Sequence, residues 1–273
     1  MFTKGKTVLV TGATDGIGKQ TARVLAGQGA HVLVHGRSIK RVDAAIAEIK
    51  REDPHAQLSG YVADFSSLQA VRELAEELIT QASDLQLLIN NAGVYSPEFR
   101  LSQDGFELTF AVNHLAPFLL TLLLLPTLQR NAPARIINVV SIAHNVRDFN
   151  STKIHDPSVY HAWNAYKISK FANVLATYRL AEQLAGSGVT VNCLHPGAVD
   201  TKMLRSAFPA TRGIGIEEGA KSSIYLASSD EVQGVSGAYF EDGKPVQSAP
   251  QTYDKELQRS LWKQCEDWVG LSG

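Results

Sequence analysis

The chain has 273 residues, 44% hydrophobic and 19% charged, with 26 Lys and Arg against 27 Asp and Glu. That balance fits one soluble α/β domain with a substantial core, and it excludes the strongly basic surface of a general nucleic-acid binder. The two cysteines, Cys193 and Cys265, lie far apart without metal-ligand spacing, so a reducing, cytoplasmic compartment is expected.

An apolar, β-branched run begins almost at once, and no signal peptide is apparent. Thr7 to Val10 reads as the heart of a first strand over 6–11. Thr11-Gly-Ala-Thr-Asp-Gly-Ile-Gly18 then turns through three glycines into an amphipathic helix over 16–28. Glycines let backbone approach a pyrophosphate, and the unpaired N–H groups of a helix start hold its charge. Gly12, Gly16 and Gly18 are therefore candidates for a nucleotide site, although the spacing is Gly-x-x-x-Gly-x-Gly rather than the commoner Gly-x-Gly-x-x-Gly.

A second strand over 30–35 runs into Gly36-Arg37-Ser38 and a helix over 38–51. No carboxylate stands there to hold an adenosine ribose. Arg37 offers a planar donor fork suited to phosphate, and Ser38 a hydroxyl that can also cap the next helix. This predicts NADP(H) over NAD(H). Asp15, just before the second glycine, gives no help to a phosphate dianion and stands against that preference.

A third strand over 57–63 leads to Asp64 and a helix over 67–82, and a fourth over 86–89 leads to Asn90, Asn91 and Gly93. The apolar run from Leu115 to Leu125, 11 residues long, sits in a helix predicted over 104–128. It is too short to cross a bilayer, so burial in the core or a subunit interface is expected, with no membrane contact. Strand five over 135–141 ends at Ser141. A helix over 160–186 carries Tyr166 and Lys170. Strand six over 189–194 precedes His195-Pro196-Gly197, and a helix (217–228), a strand (236–240) and a helix (252–269) follow. Leu87-Leu-Ile89 and Ile136-Ile-Asn-Val-Val140 are continuously apolar, as parallel strands covered on both faces are. Repeated βα units predict an α/β fold: a Rossmann-like doubly wound seven-stranded parallel sheet in a single domain. The unusual residues all fall after strands, on the edge where such sheets bind ligands.

Tyr166 and Lys170, four apart on a helix, stack phenol and ammonium about 5–6 Å apart at Cβ. A phenol with a pKa of about 10 is a poor proton carrier at neutral pH. A neighbouring cation favours the phenolate, and a pKa of about 7 corresponds to roughly 4 kcal/mol. His144, His155 and His161, at spacings of 11 and 6, match no short metal motif and read as a solvated loop; no metal is expected. Asn90 and Asn91 read equally well as pins for the backbone, Asn113 alone as a core amide, and His195 as a backbone-shaping residue.

Together, Thr11 to Gly18, Asp64, Asn90-Asn-Ala-Gly93, Asn113, Ser141, Tyr166-x-x-x-Lys170 and His195-Pro-Gly197 resemble the short-chain dehydrogenase/reductase family over essentially the whole chain. The 25-residue gap from Ser141 to Tyr166, with Gly237-Ala-Tyr-Phe240 and Trp268-Val-Gly-Leu271, resembles the branch of retinol dehydrogenases and related carbonyl reductases. The resemblance implies the strand order 3-2-1-4-5-6-7. It implies Tyr166 as acid/base, Ser141 as the polariser of the substrate oxygen, and Lys170 as the group that lowers the tyrosine pKa and binds the nicotinamide ribose. Asn113 would bend its helix and hold a relay water. Cofactor contacts are implied for Gly12, Thr14, Asp15, Gly16, Ile17, Gly18, Asp64, Asn91, Ala92, Gly93, Tyr166, Lys170, Pro196, Gly197, Val199 and Thr201, beside Arg37 and Ser38.

A substrate wall is expected from Val94 to Phe99 and from 142–162 and 198–216, including Ile142, Val146, Phe149, Tyr160, Trp163, Met203, Leu204 and Phe208. The 198–216 segment reads as a lid. The helical tail over 250–273, with Leu261, Trp262 and Trp268, is expected on the substrate edge or on a neighbouring subunit. The resemblance also implies a homodimer or homotetramer through the helices at 104–128 and 160–186. The expected activity is hydride transfer between NADP(H) and a lipophilic aldehyde, ketone or secondary alcohol. The alternative is a catalytically silent NADP(H)-sensing regulator, against which the retention of Asn113, Ser141, Tyr166 and Lys170 argues. Epimerase and dehydratase relatives tend to carry a longer sugar-binding region.

Overall fold

Val8, Leu9 and Val10 are wholly buried in β1 (Thr7–Val10), because that strand lies mid-sheet with helices on both faces. The computed structural model describes residues 1–146 and 149–271. After β1 come α1 (Gly16–Gly27), β2 (His31–Gly36), α2 (Ile39–Glu52), β3 (Gln57–Val62), α3 (Leu68–Gln81) and β4 (Leu85–Asn90). Next, α4 (Leu108–Phe110), a π-helical turn (Ala111–Leu115) and α5 (Ala116–Arg130) run on from one another. The remaining elements are β5 (Ala134–Val139), α6 (Ala162–Gln183), β6 (Val189–His195), α7 (Lys202–Ala207), α8 (Ile216–Ser228), β7 (Tyr239–Glu241), β8 (Lys244–Val246) and α9 (Lys255–Trp268).

The sheet order is β3-β2-β1-β4-β5-β6-β7-β8, parallel throughout except for the final pair. The single-domain, doubly wound Rossmann-like sheet is thus as expected, with eight strands among the described residues rather than seven. The additional strand is a three-residue edge carrying Pro245, closed on β7 through Asp242 and Gly243, both at positive φ (48° and 71°). Proline is tolerated at a sheet edge, and Asp-Gly is a favoured two-residue hairpin turn.

One apolar cluster packs α3, α5, α6 and α9 against the sheet, and another packs α1, α2 and α8 against its opposite face. The helix predicted from 104 starts at Leu108. There the fully buried Glu107 accepts hydrogen bonds from the N–H groups of Thr109 (2.9 Å) and Phe110 (2.7 Å), satisfying the helix start. Pro126 sits inside α5 on an exposed position, so the helix runs through it to Arg130. The resulting helix, Leu108–Arg130, is long and apolar enough to cross a membrane. However, 78% of its most apolar stretch is buried within the fold, as in a core helix.

The tail packs into the fold. Trp262 packs edge-on against Phe118 (4.8 Å), and Trp268 against Phe110 (5.8 Å) and His155 (5.3 Å). Leu261 and Trp262 belong to the main core, so α9 is an integral part of the helical layer on α5 and α6. It therefore covers part of the face expected to carry subunit contacts. Positions 272 and 273 of the predicted tail, and 147 and 148 of the predicted substrate wall, lie outside the described residues.

Candidate active site

Short parallel strands that all end at one edge bring distant loops together there. The result is a crevice of about 670 Å³ lined by the glycine turn, the end of β2, Asp64, the segment after β4, Tyr166 and Lys170.

The turn at its base is rigidly held. Gly12 has φ 65°, and a Cβ there would stand 2.8 Å from Ala92 Cα; a Cβ on Gly18 would collide with Asn91 Nδ2 and the Gly12 carbonyl. Asn91 donates to the carbonyls of Thr11 (2.8 Å) and Gly12 (3.3 Å), while Thr11 Oγ1 accepts from the N–H groups of Asn91 and Ala92, each at 3.0 Å. Asn91 is therefore a backbone pin that also lines the crevice. Asn90 points elsewhere, donating to Thr121 Oγ1 and Asn138 Oδ1 in the interior.

His35, unremarked within its apolar strand, completes this scaffold. It is 3% exposed and stacked on Phe65, with ring centroids 4.4 Å apart. Nδ1 accepts from Gly12 N–H at 3.3 Å and Nε2 donates to the Ala63 carbonyl at 3.1 Å, which assigns the tautomer. Burial pushes its pKa down to about 4, so the ring is neutral. A polar residue inside an otherwise apolar strand, next to Gly36, was the available signal.

At the adenosine end, Arg37 is exposed and lines the crevice with Arg41. Asp15 does not stand as a free anion there. Its Oδ1 caps α1 through Gly16 N–H (2.9 Å), and its Oδ2 meets Lys202 Nζ at 2.6 Å and Arg41 at 3.6 Å. The Lys202 hydrogen bond, with those of Gly16 and the nearby positive charges, holds this carboxyl below its ordinary range. Arg41 and Lys202 were missed in the sequence because the helix phase and the chain reversal that bring them to Asp15 are tertiary.

Tyr166 and Lys170 face the crevice from α6. Lys170, 4% exposed, donates to the Val139 carbonyl at 2.9 Å, and its Nζ lies 5.7 Å from the Tyr166 ring centroid. Burial pushes Lys170 down to about 8. The phenol is not lowered as the spacing alone suggested. Burial pushes it above its ordinary value, and a hydrogen bond with Ser141 only partly opposes that. The Tyr166 ring is stacked by Trp163 (5.7 Å, 16°) and met edge-on by Tyr95 (6.2 Å). Phe208 of the 198–216 segment closes edge-on over Trp163 at 5.1 Å.

Asn113 sits in the π turn. Its Oδ1 accepts from Val94 N–H (2.7 Å), and its Nδ2 donates to the Val94 carbonyl (3.0 Å) and Ser169 Oγ (3.1 Å). Its backbone carbonyl accepts from Asn173 Nδ2 at 2.8 Å. The side chain is thus a satisfied interior amide that fixes the loop after β4.

Of the expected cofactor residues, Thr14, Ile17, Ala92, Gly93, Pro196 and Thr201 also line the crevice, whereas Ser38, Gly197 and Val199 do not. Ser38 is the N-cap of α2 without a side-chain bond, Gly197 turns the chain at φ 87°, and the buried Val199 packs on Gly219. Asp64 lines the crevice and accepts from Ser66 N–H at 2.9 Å. Among the wall residues, Met203 faces the crevice, Val146 belongs to the core, and Phe149 packs on Phe171 (5.4 Å). The loop histidines are not all solvated: His144 is buried, and the His155 ring is enclosed by Phe106, Phe110 and Trp268. Among the described residues, no cluster of His, Cys, Asp and Glu could hold a metal.

A glycine turn at a helix start, a partly buried tyrosine and a buried lysine in one crevice agree with the sequence model of the short chain dehydrogenase family, which matches residues 6–212. The chain belongs to that family. It is 39% identical to human retinol dehydrogenase 14 over 98% of this chain and 87% of the relative, placing it in the retinol dehydrogenase-like branch. Among solved structures, an uncharacterized protein from Mycobacterium paratuberculosis superposes with a TM-score of 0.82 at 31% identity, covering 98% of this chain and 94% of that one. The RhlG/NADP active-site complex of Pseudomonas aeruginosa gives 0.71 at 27% identity, covering 87% and 94%. The chain is accordingly an oxidoreductase of a nicotinamide-using family.

Proposed function

We propose that the protein is an NADP(H)-dependent enzyme that interconverts a carbonyl and an alcohol on a lipophilic aldehyde, ketone or secondary alcohol. The observation that carries the reading is the convergence of Tyr166 and Lys170 on the crevice that also holds the glycine turn, with Ser141 near enough to the phenol to oppose the rise in its pKa. The residues fit a dinucleotide. The first N–H groups of α1 have no intrahelical acceptor, and Gly16 lines the crevice with nothing nearer than Thr201 Cγ2, 3.4 Å from where a Cβ would stand. Arg37 and Arg41 offer cations for a 2′-phosphate, and Asp15 is already engaged by Lys202. The RhlG relative is itself an NADP complex. When bound, NADP(H) would supply or take the hydride.

The chain's part is the oxygen. A hydride arriving at carbon leaves charge on the carbonyl oxygen, so a proton must reach it in the same transition state. Tyr166, kept protonated by burial, is that donor at neutral pH, and Ser141 Oγ holds the same oxygen. Lys170 keeps a cation beneath the site, anchored on the Val139 carbonyl. Trp163 and Tyr95 against the Tyr166 ring, Phe208 on Trp163 and Met203 in the crevice make surroundings that favour apolar substrates. Burial of the Leu108–Arg130 helix and of both free thiols, Cys193 and Cys265, supports a soluble, cytoplasmic protein.

The test uses purified protein, NADPH and a panel of lipophilic aldehydes and ketones. Oxidation of NADPH is expected, and Tyr166→Phe is expected to abolish it while leaving NADPH affinity within about twofold. Turnover by Tyr166→Phe at the wild-type rate overturns the reading. Tight NADPH binding with no oxidation across the panel supports the sensor instead.

A further inference from the structure

We propose that His144 is the positioning residue for Ser141, tying the serine backbone to the start of the C-terminal tail at Ala249. The inference rests on the role just given to Ser141. Ser141 ends the run after β5 and caps the short 3-10 turn Ile142–His144 that carries the histidine. His144 is 3% exposed and does not line the crevice. Its Nδ1 stands 2.6 Å from the Ser141 carbonyl, and its own backbone N–H meets the same carbonyl at 3.1 Å. On the far side of the ring, Nε2 accepts from the Ala249 N–H at 2.9 Å.

An amide N–H can only donate and a carbonyl can only accept. One neutral tautomer satisfies both contacts: hydrogen on Nδ1, lone pair on Nε2. Protonation would set two N–H groups against each other at Ala249. The groups facing the ring are consistent with a neutral imidazole. Tyr239 of β7 lies 4.7 Å away by centroid and donates to Glu241 at 2.5 Å, while His195 at the end of β6 opposes a second charge nearby. From α6, the Tyr166 phenol reaches the group on the other side, Ser141 itself. Burial, acting against the Ser141 bond and the Glu241 charge, pushes the His144 pKa down.

The consequence is directional. Ser141 Oγ accepts from Ala143 N–H at 3.2 Å, so its place depends on where the backbone of 141–143 is held. Two donors converging on one carbonyl fix that backbone, and the ring passes the constraint to a chain segment 105 positions away. Catalytic groups displaced by even about 0.5 Å lose much of their effect. The ring should therefore govern turnover rather than cofactor binding.

The two ring nitrogens can be separated in the full-length protein. Asn places an amide donor near the Nδ1 position, and Gln places an amide oxygen near the Nε2 position. NADPH oxidation with nonanal as the probe substrate is compared in His144→Asn, His144→Gln and His144→Phe, with NADPH affinity and Tm read on each. His144→Asn is expected to keep kcat within about threefold while lowering Tm; His144→Gln and His144→Phe are expected to lose roughly tenfold to a hundredfold in kcat. KM and NADPH affinity should stay within about twofold in all three. Wild-type kcat in His144→Gln, or an equal kcat loss in His144→Asn and His144→Phe, overturns the inference. A 15N imidazole spectrum of the wild type at pH 7 should show hydrogen on Nδ1 alone, and hydrogen on Nε2 would equally overturn it. Ser141→Ala separates the two levels. If it leaves turnover intact, the proposed function of Ser141 fails; if it abolishes turnover while His144→Gln is unaffected, only the positioning role fails.

Discussion

Replacing His35 with Phe tests whether the glycine turn is held by side-chain hydrogen bonding or by packing alone. The substitution retains a ring to stack on Phe65 and so avoids a large cavity. It removes the acceptor for Gly12 N–H and the donor to the Ala63 carbonyl, both in a buried setting. An unpaired buried backbone group costs about 1–3 kcal/mol; the longer Gly12 contact belongs at the low end, giving roughly 2–4 kcal/mol in all. The pH dependence sharpens the test. With a folded pKa of about 4 against 6.5, the unfolded chain holds the extra proton between those values. Wild-type stability from this ring is present above about 6.5 and lost as pH falls to about 4, a difference of roughly 3 kcal/mol. Urea denaturation of both proteins at pH 7.5 and pH 4.5 reads this directly. The variant should be less stable by roughly 2–4 kcal/mol at pH 7.5, and the gap should shrink or close at pH 4.5. Equal midpoints at pH 7.5, or the same pH slope in both proteins, would refute the argument.

Gly18→Ala sets a Cβ against Asn91 Nδ2 and the Gly12 carbonyl, so NADPH affinity should fall at least about tenfold by titration while Tm drops. Arg37→Asp places a carboxylate where a phosphate is proposed to bind, and the NADP-to-NAD ratio of kcat/KM should fall by about tenfold or more; an unchanged ratio removes Arg37 from cofactor choice. Trp262→Ala empties a site that is 7% exposed and packed on Phe118, and calorimetry or urea unfolding should show a loss of about 3–5 kcal/mol. If α9 were only loosely attached, that loss would be under about 1 kcal/mol.

The alternation of apolar runs with amphipathic stretches was enough to specify a doubly wound parallel sheet, because parallel strands need helical crossovers and burial on both faces. The glycine turn and the Tyr166–Lys170 spacing were legible for a similar reason: each is a local pattern with a local physical cause. β8 escaped because three residues with a proline carry too little periodicity, although Asp242-Gly243 marked its turn. Other features could arise only in three dimensions. Asp15 looked like an unfavourable anion until the fold delivered Lys202 and Arg41 to it. The spacing of Tyr166 and Lys170 is local, but the burial that raises the phenol pKa and lowers that of the lysine comes only with tertiary packing. His35 and His144 became joints between segments far apart in sequence, and α9 became part of the core. Local sequence determines backbone preference and which face of an element is apolar; the charge environment and hydrogen-bond partners of a buried side chain depend on residues that only tertiary packing brings within a few ångströms.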